Sequence, residues 1–132
     1  MTRFLLDTNA VISLLNPAED KVVRAVERHR RADIVTSSIV IHELCFGAYK
    51  SAAPSKNLKL IERLDLTVLQ FEPEDAREAG RIRALLAMRG TPIGPYDVLI
   101  AGQALRHGLV VVTANVREFA RVPGLASEDW SH

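Results

Sequence analysis

The 132-residue sequence predicts a three-layer α/β/α domain with a central, mostly parallel sheet of four to five strands. Three observations lead there. Short apolar runs that read as strands alternate with longer stretches of helical periodicity. The run 109–113 carries three consecutive valines between a glycine and an asparagine, the pattern of a strand buried on both faces, as in a parallel sheet covered by helices. No repeat, low-complexity tract or long linker divides the chain, so residues 1–132 are expected to share one core as a single domain.

Residues 4–7 read as a short buried strand, followed by a helix over 9–15 that Asn16-Pro17 stops, because proline disfavours helix at the residue before it. A second helix is expected over 19–31, with Val22, Val23 and Val26 as a narrow apolar stripe and Arg24, Arg28, Arg30 and Arg31 crowding the remainder. Residues 34–36 form the next strand. Ser37 and Ser38 then supply an N-cap for a helix over 39–51, which Pro54-Ser55 breaks. A helix over 56–64 precedes a strand at 67–71, and Pro73 opens a long helix through Ala76, Ala79, Ile82 and Leu86 that ends at Gly90. The rigid segment 91–95 leads into a helix over 96–107, closed by Gly108, and then into the valine strand. The stretch 123–130 is expected to add an edge strand.

Composition narrows the function classes. The chain is 48% apolar and 25% charged, and no apolar run approaches the roughly 18 residues of a membrane span, so no membrane partner is expected. Residues 1–3 run straight into a strand without an extended apolar stretch, so a secretory signal is not expected and a cytoplasmic location is. The lone Cys45 cannot form an internal disulfide and reads as a small core residue. With a net charge of +1, nucleic-acid affinity must come from a local patch.

In open parallel sheets the reactive crevice lies beyond the carboxyl ends of the strands, which makes acids at strand ends informative. Asp7 stands at such an end, although capping the helix behind it is an equally good use. Glu43 has Ile39, Val40, Phe46 and Gly47 as its helix-face neighbours, so it either snorkels to the rim or faces a cation that offsets its desolvation. Asp97 falls on a first helical turn, a position the helix dipole favours without any catalysis. Thr113-Ala114-Asn115, with Glu118 close behind, brings a further oxygen-bearing group to the same place. His29, His42, His107 and His132 show no metal-ligand spacing and read as exposed or capping residues. Oxygen donors without histidine or cysteine suit a hard cation, Mg²⁺ or Mn²⁺, and such sites act on phosphates. There is no phosphate-binding glycine loop, serine-hydrolase elbow or Cys/His pair.

The strings Leu6-Asp7-Thr8-Asn9, the internal helical Glu43, Asp97 in an Ile/Ala-rich helix and Thr113-Ala114-Asn115 resemble a PIN domain over nearly the whole chain. The segments 90–97, 116–125 and 128–130 are similar to the VapC toxins of bacterial toxin–antitoxin modules. The resemblance implies a Mg²⁺-dependent endoribonuclease that cuts transfer RNA, notably the initiator, in the anticodon region. It implies a homodimer neutralised by a VapB-type antitoxin, in a hetero-oligomer that binds operator DNA through the antitoxin. Asp7, Glu43 and Asp97 match the family's acidic metal ligands and Thr8 its supporting hydroxyl. Where many PIN domains have aspartate, this chain has Asn115, so the fourth ligand is either Asn115 or Glu118 and Thr113 stands beside it.

RNA binding then needs cations near the crevice, and Arg117 and Arg121 are best placed. Arg28 to Arg31, Arg81 and Arg83 read as solvated helix faces. Tyr96 either stacks on a base or packs on Pro95. Leu14, Leu15, Phe46 and Tyr49 read mainly as core, with an antitoxin groove as their other use. Two alternatives stay open: a catalytically weak RNA-binding or co-repressor subunit, and a phosphotransfer receiver, which would want a lysine late in the sheet that 111–114 lacks.

Overall fold

The computed structural model describes residues 2–132 apart from Pro17 and Glu19. Among them, five strands, β1 (Phe4–Leu6), β2 (Ile34–Ser37), β3 (Thr67–Leu69), β4 (Val110–Val112) and β5 (Ser127–Glu128), form one sheet in the order β3-β2-β1-β4-β5, and every neighbouring pair is parallel. The helices are α1 (Thr8–Leu15), α2 (Asp20–Glu27), α3 (Ser38–Lys50), α4 (Pro54–Glu62), α5 (Pro73–Met88), α6 (Pro95–His107) and α7 (Val116–Phe119). The three central strands carry the burial that the apolar runs predict: Leu5, Leu6, Ile34, Val35, Val111 and Val112 are all inaccessible to water. The chain lays β2 and β3 to one side of β1, then crosses back to lay β4 and β5 on the other. Strand order therefore reverses between β1 and β4, and in such sheets the crevice at that reversal is where ligands bind.

The layers are locked by close helix contact. A methyl group on Gly102 would lie 2.6 Å from the Ala79 backbone nitrogen, so α5 and α6 touch backbone to backbone, and no other residue fits there. A buried carboxylate ties the same two helices. Asp75, on the first turn of α5, accepts from the Glu72 N–H at 2.8 Å and from Arg106 of α6 at 2.7 Å.

Several elements differ from expectation. The helix expected over 19–31 is α2, which ends at Glu27; the expected start at Glu19 and the Pro17 stop lie outside the described residues. The early end has a side-chain cause. His29 Nδ1 lies 2.8 Å from the Ala25 carbonyl, and its ring stacks on Trp130 and meets the Phe4 edge, which turns the chain inward over the sheet. His29 is thus a capping residue, but in an aromatic cluster and not an exposed one. Pro54 opens α4 as its first residue instead of merely ending α3, since proline lacks only an N–H that the first turn leaves unpaired anyway. The edge strand β3 stops at Leu69, where Phe71 N–H turns to the Ser38 hydroxyl. The short helix α7 was not anticipated.

Candidate active site

Asp7 is both things its position allowed. It is the N-cap of α1, its Oδ1 accepting from the Ala10 N–H at 3.0 Å, and it sits 5% exposed at the sheet reversal, where the Thr113 hydroxyl also reaches it. Burial pushes its carboxyl up, and Glu43 and Asp129 add to this by repulsion, against the downward pull of the two hydrogen bonds. A cap alone would have no reason to keep such company.

Glu43 arrives from α3, on a helix whose first turn is fixed by Ser37 Oγ accepting from the Ile39 N–H at 3.0 Å. Its Oε1 accepts from the Thr8 hydroxyl at 2.7 Å, so the residue after Asp7 orients the second acid. It is half-buried, and among the described residues its hydrogen-bond partner is this neutral donor. Asp97 comes from the first turn of α6. Burial, then Glu118, Asp7 and Glu43 in that order of effect, push its carboxyl up to about 6. Burial is the largest cause, and the added repulsion from the other three acids agrees with their facing one space, as does the closeness of Asp97 Oδ2 and Glu118 Oε1 around Gly94.

Of the two groups expected after β4, Glu118 is the one that faces Asp97. Asn115 lies in the turn before α7, its N–H bonded to Thr113 Oγ1 at 2.9 Å, and its side-chain amide donates to Glu118 Oε2. Asn115 is thereby a donor that fixes Glu118, so the carboxylate turned toward Asp97 is that of Glu118. The other oxygen of Glu118 accepts from the Gly94 N–H at 2.6 Å, and a methyl group on Gly94 would stand 3.1 Å from Asp97 Oδ2. Arg117 is exposed on α7. Arg121, expected at the RNA, spends its Nη1 on the Pro92 carbonyl at 2.8 Å.

One acid at this edge escaped the sequence reading. Asp129 follows β5 directly, at the same carboxyl end of the sheet, and its charge bears on Asp7; the signal available was its place after the last strand. Elsewhere, Glu72, Asp75 and His107 bring ligand atoms within 4.8 Å of one another, yet Arg106 already holds Asp75 and Glu72, so a cation is supplied by the chain itself. Phe46 and Tyr49 are 59% and 69% exposed rather than core, because α3 turns its far face outward. Ile12, Leu15, Leu44 and Leu60 line an open apolar groove of about 420 Å³ between α1, α3 and α4, with Glu43 at its edge. Tyr96 faces His42 across the crevice rim, its hydroxyl 3.4 Å from Nε2.

The PIN domain family model matches residues 4–125. The chain is 45% identical to the tRNA(fMet)-specific endonuclease VapC of Salmonella typhimurium, over 98% of this chain and 99% of the relative. It is 43% identical to the tRNA(fMet)-specific endonuclease VapC of Shigella flexneri, over 99% of this chain and all of the relative. Among solved structures it resembles DNA-bound VapBC from Salmonella typhimurium, with a TM-score of 0.91 and 44% identity over 98% of this chain and 99% of that one. It also resembles VapBC2 from Rickettsia felis bound to a promoter DNA fragment, with a TM-score of 0.88 and 30% identity over 98% and 99%.

Proposed function

The chain belongs to the PIN-domain family, and on that footing we propose that it is a VapC-type toxin, a metal-dependent endoribonuclease acting on transfer RNA in the cytoplasm, with the initiator as the first substrate to test. The observation that carries this reading is the convergence of Asp7, Glu43, Asp97 and Glu118 from four separate elements, with Asp97 raised to about 6 by burial and then by the other three. Four carboxylates with no histidine or cysteine among them are a hard-donor set, which fits Mg²⁺, with Mn²⁺ able to replace it. Asp7, Glu43 and Asp97 would hold the ion, and Glu118 would complete the site with Asn115 behind it. When bound, a divalent ion there neutralises charge on the phosphoryl oxygens and acidifies a coordinated water.

The chain's own groups do the rest. Thr113 and the Ala10 N–H aim Asp7, and Thr8 aims Glu43, so neither carboxylate has to reorganise when substrate arrives. The hydrogen-bonded Asp97–Glu118 pair is where a proton can be held near neutral pH. Arg117, exposed beside the crevice, would meet an RNA phosphate. The weak-catalyst reading loses its ground, because Asn115 subtracts no acid from the crevice when its role is to hold Glu118.

The partners follow from the relatives. VapBC complexes on DNA are the structures this chain resembles, so a VapB-type antitoxin would occupy the groove lined by Ile12, Leu15, Leu44 and Leu60, in a toxin dimer that meets operator DNA through that antitoxin. Among the described residues no helix is long and apolar enough to cross a membrane. The test is cleavage of initiator tRNA by the purified chain with Mg²⁺, against EDTA and against Asp7→Asn. Loss of cleavage in both controls is expected, and undiminished cleavage by folded Asp7→Asn would refute the assignment.

A further inference from the structure

The segment joining α5 to α6 has to place Asp97, and α6 has no side-chain cap of its own to anchor its start. The segment contains Pro92, and Pro95 opens α6 behind the N-cap Gly94, which leaves the first turn without the usual anchor. What fixes it comes from α7. Glu118 Oε1 accepts from the Gly94 N–H at 2.6 Å, and Arg121 Nη1 donates to the Pro92 carbonyl at 2.8 Å. Residues 118 and 121 are three apart, so the two contacts leave the same side of one turn and grip the segment two residues apart. The turn itself is immobilised, because Phe119 and Val122 between and behind them are fully buried.

The grip is transmitted directly to the acid. The Gly94 carbonyl accepts the Val98 N–H at 3.0 Å, the first bond of the ladder that carries Asp97, and Asp97 Oδ2 stands 3.1 Å from where a Gly94 side chain would begin. A small displacement of Gly94 therefore moves the Asp97 carboxylate relative to Asp7 and Glu43. We propose that Arg121 is a positioning residue for Asp97: it clasps the Pro92 carbonyl so that Gly94 and the start of α6 stay seated on Glu118, and it is not a phosphate contact. The catalytic consequence rests on the nuclease reading above, whereas the clasp itself does not.

The two roles separate in one set of measurements on Arg121→Met, with Arg117→Met as comparator. A clasp predicts that kcat falls about tenfold or more while KM stays within twofold, since misplacing a catalytic group by about 1 Å can cost roughly a hundredfold. It predicts that the Gly94 and first-turn α6 amides exchange with solvent several times faster, and that Mn²⁺ alone, followed by calorimetry, binds more weakly. RNA affinity on an Asp7→Asn background stays within twofold. A phosphate contact predicts the reverse: RNA affinity down fivefold or more, a salt dependence shallower by about one charge, and unchanged amide exchange. That outcome overturns the proposal. If the unsubstituted chain cleaves no RNA, the nuclease reading fails, yet amide exchange and Mn²⁺ binding still decide the clasp. Arg121→Gln, polar but too short for the same reach, gives the same readings should the methionine variant fold poorly.

Discussion

Replacing Asp97 with asparagine is expected to destroy activity and to make the protein more stable. The perturbation removes one ionisable group and keeps the shape. In the folded chain Asp97 is raised from 3.8 to about 6, roughly two pK units, and each unit is worth about 1.4 kcal/mol. The sign follows from the direction. A carboxyl raised on folding binds protons more tightly in the folded state, so stability falls as pH climbs from about 4 to about 6 and stays lowered above that. The full figure is about 3 kcal/mol; Asp97 is only half-buried, and screening by water and salt reduces it to about 1–2 kcal/mol. Urea unfolding in EDTA at pH 8 should show Asp97→Asn more stable by that amount, and the gain should shrink by more than half at pH 4.5, where the native aspartate is already protonated. Cleavage should fall at least a hundredfold in the same preparation. A variant no more stable than the parent at pH 8, or a gain independent of pH, would refute the claim that like charges crowd this carboxyl.

Two other predictions concern the frame. Gly102→Ala forces a methyl group onto the Ala79 backbone at 2.6 Å, and should cost roughly 2–4 kcal/mol in urea unfolding, since backbone on both sides leaves nothing flexible to yield. Asp75→Asn should cost roughly 1–2 kcal/mol at pH 7, because the amide keeps only one acceptor oxygen for the Glu72 N–H and Arg106, while Arg106 retains Glu72 and Glu74. Burial pushes the Asp75 carboxyl up, but the Glu72 N–H and Arg106 outweigh it and hold it below its usual 3.8, so its contribution is present above pH 4 and lost as pH falls through the folded value. A thermal-unfolding series should therefore show the deficit of Asp75→Asn closing in acid.

The sheet was legible because its central strands are short apolar runs with no polar alternation, and only burial on both faces explains such runs. The site was legible one acid at a time and ambiguous each time: Asp7 does cap α1, and a first-turn Asp97 does suit the helix dipole. Their convergence was expected only from the general rule for strand ends, and what supplies it is the strand order that puts β4 beside β1. The choice between Asn115 and Glu118 stayed open for a related reason. As a residue type Asn115 looks like a weakened ligand, and only the turn before α7 shows its amide facing Glu118. The Arg121 contact was not legible, because nearness to the crevice along the chain says nothing about a carbonyl 29 residues earlier. The aromatic contact of His29 with Phe4 and Trp130 joins residues from both ends of the chain, so no local pattern announces where α2 must stop.

The chain deals with buried acids in two opposite ways, and the contrast bears on function more than either case does alone. Asp75 is fully enclosed and meets Arg106, which brings its proton affinity down. The crevice acids meet only neutral donors: Ala10 N–H and Thr113 for Asp7, Thr8 for Glu43, Gly94 N–H and Asn115 for Glu118. Among the described residues no lysine or arginine forms an ion pair with any of them, and Asp7 and Asp97 are both raised, first by burial and then by their like-charged neighbours. Neutral donors orient a carboxylate without cancelling its charge. An arginine placed here as at Asp75 would remove the repulsion and stabilise the fold, but it would also occupy the position of an external cation. The uncompensated charge is thus a standing cost to stability that makes sense only if something positive arrives from solution to offset it.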